Sequence, residues 1–135
     1  MIGIDTNVLI RFIVRDDEAQ TSAAAALIDS LTPENPGFIT LVSIAELYWV
    51  LDHSYKSTRD EIYTVFQSLL TSKEIIVEDA AIVHAALHLY SATNADFDDC
   101  LIAGCSRAAG CDLVLTFDKK AAKAIGMTLL PQTDI

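Results

Sequence analysis

Five short apolar runs, separated by one or two helical stretches each, constrain this chain more than any other feature of it. The runs are residues 1–5, Phe38–Leu41, Ile75–Val77, Leu113–Phe117 and Met127–Leu130. Each has the length of a strand and is too short for a buried helix. Helical patterns lie between them. One covers Asn7–Val14, and a second opens at Asp16-Asp17-Glu18 and runs to about Leu31 before Pro33 and Pro36-Gly37 break it. Others run from Ser43 to about Tyr55, from Ser57 or Thr58 to Ser72, from Asp79 to Ala92, from Asp96 to Gly110, and over Lys119–Ile125. Strands alternating with helices predict an α/β fold. The expected form is a central, mostly parallel sheet of four to five strands with helices on both faces. One domain is expected over residues 1–130, with a polar C-terminal tail at 131–135. In such a sheet, sites form beyond the carboxyl ends of the strands.

Composition excludes several classes. Apolar residues make up 52% of the 135, too many for a disordered chain. No apolar run is long enough to span a bilayer. The opening Met1-Ile2-Gly3-Ile4-Asp5 has neither a basic stretch nor a cleavage-site pattern, so a cytoplasmic protein with no membrane association is expected. Cys100, Cys105 and Cys111 are odd in number and lack C-x-x-C spacing. They read as small buried hydrophobes in a reducing compartment. The net charge of −10 opposes nucleic-acid binding unless a cation or a basic partner reverses the field locally.

Four carboxylates stand at positions where the fold places chemistry. Asp5 ends the first strand and Asp118 the fourth; each also suits a helix cap. Glu46 is the only charged residue from Leu41 to Leu51. Ile44, Leu47, Tyr48, Leu51 and Tyr55 form the apolar stripe of its helix, and Glu46 points away from it between apolar neighbours. A carboxylate in apolar surroundings needs a partner; the ordinary alternative is a capping box with Ser43. Asp96-Phe97-Asp98-Asp99 puts three acids in one turn. Asp96 and Asp99 share a side and Asp98 faces elsewhere. Capping and the helix dipole explain single acids but not the crowding of like charges, which a divalent cation would offset. Oxygen ligands suit Mg²⁺ or Mn²⁺, and such ions activate a water against a phosphodiester.

These segments resemble the motifs of PIN-domain proteins. Ile4-Asp5-Thr6-Asn7-Val8-Leu9 looks like the opening motif, and Ala45-Glu46-Leu47 with Trp49-Val50-Leu51 like the second. Ala95-Asp96-Phe97-Asp98-Asp99-Cys100-Leu101-Ile102-Ala103 is similar to the third, and Thr116-Phe117-Asp118 to the fourth. Cys100 departs from the more usual alanine. The chain looks most like the VapC-type toxins of toxin–antitoxin pairs. The resemblance implies a metal-dependent endoribonuclease that hydrolyses RNA through a metal-activated water. Asp5, Glu46, Asp99 and Asp118 would be its catalytic and metal-binding residues, and Thr6, Asn7, Asp96 and Thr116 its supports. It also implies a homodimer and a cognate antitoxin protein.

Other features read more plainly. His84 and His88 have metal-ligand spacing but no H-E-x-x-H motif, and predict a partly exposed helix face. Tyr48 and Trp49 suit a core or dimer interface and are too few for a base-stacking platform. Arg11, Arg15, Lys119, Lys120 and Lys123 suit a solvated face or phosphate contacts. Two other functions compete: a PIN-fold binding module without turnover, and a phosphatase or receiver-like phosphotransfer domain. The second fits poorly, since Asn7 stands where a phosphatase needs a second Asp.

Overall fold

The computed structural model describes residues 1–132. By its internal contacts the chain divides into two compact units, Met1–Ala80 and a second from Ala81 onward. The first contains β1 (Ile2–Gly3), β2 (Gly37–Ile39) and β3 (Ile75–Val77), parallel and in that order across the sheet. Ile2 lies opposite Gly37, and Phe38 opposite Ile76. Gly37 is fixed by crowding, because a Cβ there would lie 2.5 Å from the Ile4 side chain.

Four helices complete this unit: α1 (Thr6–Val14), α2 (Glu18–Ser30), α3 (Leu41–His53) and α4 (Arg59–Thr71). Of the predicted α3 stripe Ile44, Leu47, Tyr48 and Leu51 are buried, while Tyr55 lies past the end of α3 and is half-buried; Ile62 and Phe66 of α4, which packs on β3, are buried too. Thr58 caps α4 through a full capping box with Glu61. Arg11 secures the α1–α2 corner, with Nη1 donating to Asp16 (2.9 Å) and Nε to Gln20 (2.6 Å). The Tyr55 hydroxyl donates to the other Asp16 oxygen at 2.8 Å. That hydroxyl, then the Arg11 charge, hold the Asp16 carboxyl below its ordinary range. Arg11 is therefore engaged structurally rather than merely solvated.

The second unit holds α5 (Ala80–Ala92, whose first residue closes the first unit), α6 (Phe97–Ala108), β4 (Leu115–Thr116), α7 (Lys119–Ile125) and β5 (Thr128–Leu129). Val83, Leu87, Tyr90, Phe97, Cys100 and Leu101 are buried in it, and Tyr90 meets Phe97 edge-on at 5.6 Å. Gly104 lets α6 approach α5 closely, because a Cβ there would lie 3.2 Å from Ile82. Gly126, left-handed at φ 76°, ends α7.

All five expected strands form, and every pairing is parallel. They form a sheet of three and a sheet of two rather than one continuous sheet. The ladders are also shorter than the apolar runs: β4 keeps two residues of Leu113–Phe117, enough for its ladder with β5. Leu113, Leu115 and Phe117 are exposed. Against the expectation that all three cysteines are buried, Cys105 is half-buried and Cys111 exposed; Cys111 lies beyond the end of α6, outside the helix face that buries Cys100. His84 and His88 are exposed on α5, as their helix face predicts. Tyr48 is buried, whereas Trp49 is 53% exposed and stacks on His53. Of the predicted tail at 131–135, Pro131 and Gln132 are exposed, and 133–135 lie outside the described residues. Among the described residues no helix is long and apolar enough to cross a membrane.

Candidate metal centre

In the first unit, Asp5 follows β1 and occupies the N-cap of α1. Its Oδ1 accepts the Thr6 backbone N–H at 2.8 Å. The Thr6 hydroxyl donates to Glu46 Oε1, also at 2.8 Å, across from α1 to α3. Thr6 is 7% exposed, so this bond has little competition from water. One residue thus fixes two carboxylates, through its backbone and its side chain. The capping box between Glu46 and Ser43 does not form. Thr40 caps α3 instead, accepting the Ser43 N–H at 3.1 Å. The start of α3 two residues before Ser43 releases Glu46 from a capping role. Glu46 is exposed, not enclosed by its apolar neighbours as the sequence suggests, because Val42 and Trp49 on its flank are themselves exposed. Asn7 is exposed at the rim of a groove of about 390 Å³ that Arg11, Gln20 and Leu27 also line.

In the second unit, Asp96, Asp98 and Asp99 each present a carboxylate oxygen, all within 4.8 Å of one another. Asp96 holds the N-cap position of α6 yet makes no capping bond with its side chain. Its Oδ1 accepts from Lys120 Nζ at 3.1 Å. Asp98, expected to face elsewhere, joins the cluster because its Oδ1 folds back onto the Asp99 N–H at 2.9 Å. Asp118 does cap α7, through Oδ1, which takes the N–H groups of Lys120 (2.8 Å) and Ala121 (3.2 Å). Thr116 Oγ1 accepts the Asp118 N–H at 3.0 Å and so supports that corner. Partial burial pushes the Asp99 carboxyl above its ordinary range. The charges of Asp98, Asp118 and Asp96 push the same way, and Lys120 opposes them.

The predicted residues therefore gather in two groups. Asp5, Thr6 and Glu46 are linked in the first unit; Asp96, Asp99, Asp118 and Thr116 belong to the second, where Asp98 and Lys120 join them. Lys120 lies 24 residues from Asp96, so no local pattern pairs them. The crowding of like charges was the one signal that some cation should be near. An all-oxygen cluster of three carboxylates, one of them resisting ionisation, suits a hard divalent cation. The residues present fit such an ion.

The PIN-domain family model matches residues 2–126. The chain belongs to the PIN-domain family. This PIN domain is also 28% identical over 129 residues to the VapC ribonuclease of Aquifex aeolicus (strain VF5), covering 95% of each chain. The α/β PIN fold expected from the motifs is thus established across nearly the whole sequence.

Proposed function

We propose that this PIN domain is a metal-dependent endoribonuclease, acting as the toxin of a toxin–antitoxin pair. The observation that carries the reading is the arrangement of carboxylates. One pair is fixed through Thr6, and in the other group Asp96, Asp98 and Asp99 each present a carboxylate oxygen within 4.8 Å of one another. The likeness to a VapC ribonuclease over 95% of the chain supports RNA as the substrate. We assign Asp5, Glu46, Asp99 and Asp118 as the ligands of Mg²⁺ or Mn²⁺, within one functional domain over residues 1–130. When bound, the ion supplies an activated water and neutralises charge developing on the phosphodiester.

The chain's own residues prepare for this. Thr6 holds Glu46 in one orientation and Asp5 in another, so neither must reorganise when an ion arrives. Asp118 keeps Oδ2 clear of its capping bonds, which both end on Oδ1. Thr116 holds the backbone of Asp118, and Asn7 stands one residue beyond Thr6 as a polar support. Asp96 is an auxiliary acid. The charge of −10 disfavours RNA at long range, and a cation held by these acids would offset part of it locally. The same charge suits a basic segment of a cognate antitoxin, and the protein works as a cytoplasmic homodimer.

The test is incubation of purified protein with a mixed RNA pool in Mg²⁺, Mn²⁺ or EDTA, beside an Asp5→Asn variant. Cleavage that requires metal and falls at least a hundredfold in the variant is expected. Equal cutting by protein and variant, or cutting in EDTA, contradicts the reading. RNA binding without turnover would favour the silent binding module.

A further inference from the structure

We infer that Lys120 is a built-in counter-cation of the acidic cluster, and that it sets how tightly the protein takes up a divalent ion. The inference rests on the metal-centre reading above. Lys120 touches the cluster in two ways. Its ammonium donates to Asp96 Oδ1 at 3.1 Å, and its backbone N–H donates to Asp118 Oδ1 at 2.8 Å. One residue at the start of α7 therefore ties together an acid that precedes α6 and an acid that follows β4.

Geometry singles out Asp96 as the acid held by this lysine. It stands at an N-cap, where a carboxylate ordinarily turns inward to accept backbone N–H groups. Here the side chain makes no such bond and turns to Lys120 instead. Asp96, Asp98 and Asp99 would otherwise present three like charges within 4.8 Å. The ammonium offsets part of that repulsion in the metal-free protein.

The same positive charge opposes an arriving cation. Removing it should therefore have effects of opposite sign. The metal-free protein loses a favourable pair and becomes less stable, while the cluster gains negative potential and binds the ion more tightly. A merely structural lysine would not give that combination, because damage to the cluster would weaken both. Lys120 is a positioning and charge-balancing residue; it acts through Asp96 and Asp118.

The experiment is calorimetric titration of Mn²⁺ into metal-free protein without RNA, with thermal melts of the same samples. It compares wild type, Lys120→Met and Lys120→Arg, with Lys120→Gln as a second neutral variant. Both neutral variants should bind Mn²⁺ roughly three- to tenfold more tightly, as expected for removing a unit charge near a divalent ion in a largely solvated site. Their metal-free forms should melt about one to three degrees lower, the scale of a lost surface ion pair. Lys120→Arg should match wild type in both. Unchanged or weaker Mn²⁺ binding by the neutral variants overturns the inference and leaves the metal-centre reading intact. No Mn²⁺ uptake by wild type at millimolar concentration overturns both.

Discussion

At the scale of single residues, Thr6 and Asp99 carry the sharpest consequences. Thr6, a buried residue, fixes Glu46 through its hydroxyl, so Thr6→Val should keep the volume and lose the hold. Cleavage by Thr6→Val should fall roughly tenfold to a hundredfold, as expected for loss of a residue supporting a metal ligand, and Thr6→Ser should restore most of it. Equal activity in Val and Ser variants would show that the hydroxyl does not matter. Asp99 makes a different prediction, because its folded-state pKa lies above the unfolded one. Ionisation therefore costs stability. The cost is absent below the ordinary carboxylate range, about pH 4, and grows as pH rises through the raised value. In EDTA, Asp99→Asn should match wild type at low pH and melt about two degrees higher near neutrality. Asp16 and Glu61 run the other way: their lowered values stabilise the protein at neutral pH, and that support is lost as pH falls through them. The Asp99→Asn difference isolates one sign from the other. A variant no more stable than wild type at neutral pH would refute the claim that burial and the neighbouring acids penalise the ionised Asp99.

At the scale of elements, helix ends did most to decide what the sequence could reveal. The start of α4 at Ser57 or Thr58 was legible, and the box that fixes it joins Thr58 to Glu61 within one turn. Thr58→Ala should cost about 1 kcal/mol of unfolding free energy in denaturant titrations. The start of α3 was misread, because Ser43 and Glu46 have capping-box spacing while Thr40, three residues earlier, makes the actual cap. Spacing fixes which pairs can meet, but not which one the tertiary contact with Thr6 leaves available. Asp98 escaped for a related reason: helical periodicity describes turns inside a helix, and in its first turn a side chain can fold back on a free N–H. Strands were legible as apolar runs but not as ladders. Periodicity reports burial, whereas sheet order depends on which edges meet. Gly37 is the exception with a direct test. It sits beneath Ile4 and Leu31, so Gly37→Ala should destabilise by about 1–3 kcal/mol, read as a lower denaturant midpoint at unchanged slope.

At the scale of the whole molecule, the −10 charge, the PIN family match over residues 2–126 and the two groups of carboxylates bear on one claim. That claim is the proposed function: a metal-dependent reaction on RNA that needs Asp5, Glu46, Asp99 and Asp118. Family and fold were legible because four motifs stand in order along the sequence. The counter-cation was not, because its pairing is tertiary. The measurement that tests the claim most directly is a double-mutant cycle on Mn²⁺-dependent RNA cleavage, pairing Glu46→Gln from the first unit with Asp99→Asn from the second. If both carboxylates act in one centre, each single variant should lose nearly all activity and the double variant should be little worse than either. Losses that multiply, or a variant in either unit that cuts RNA at the wild-type rate, would contradict a shared centre.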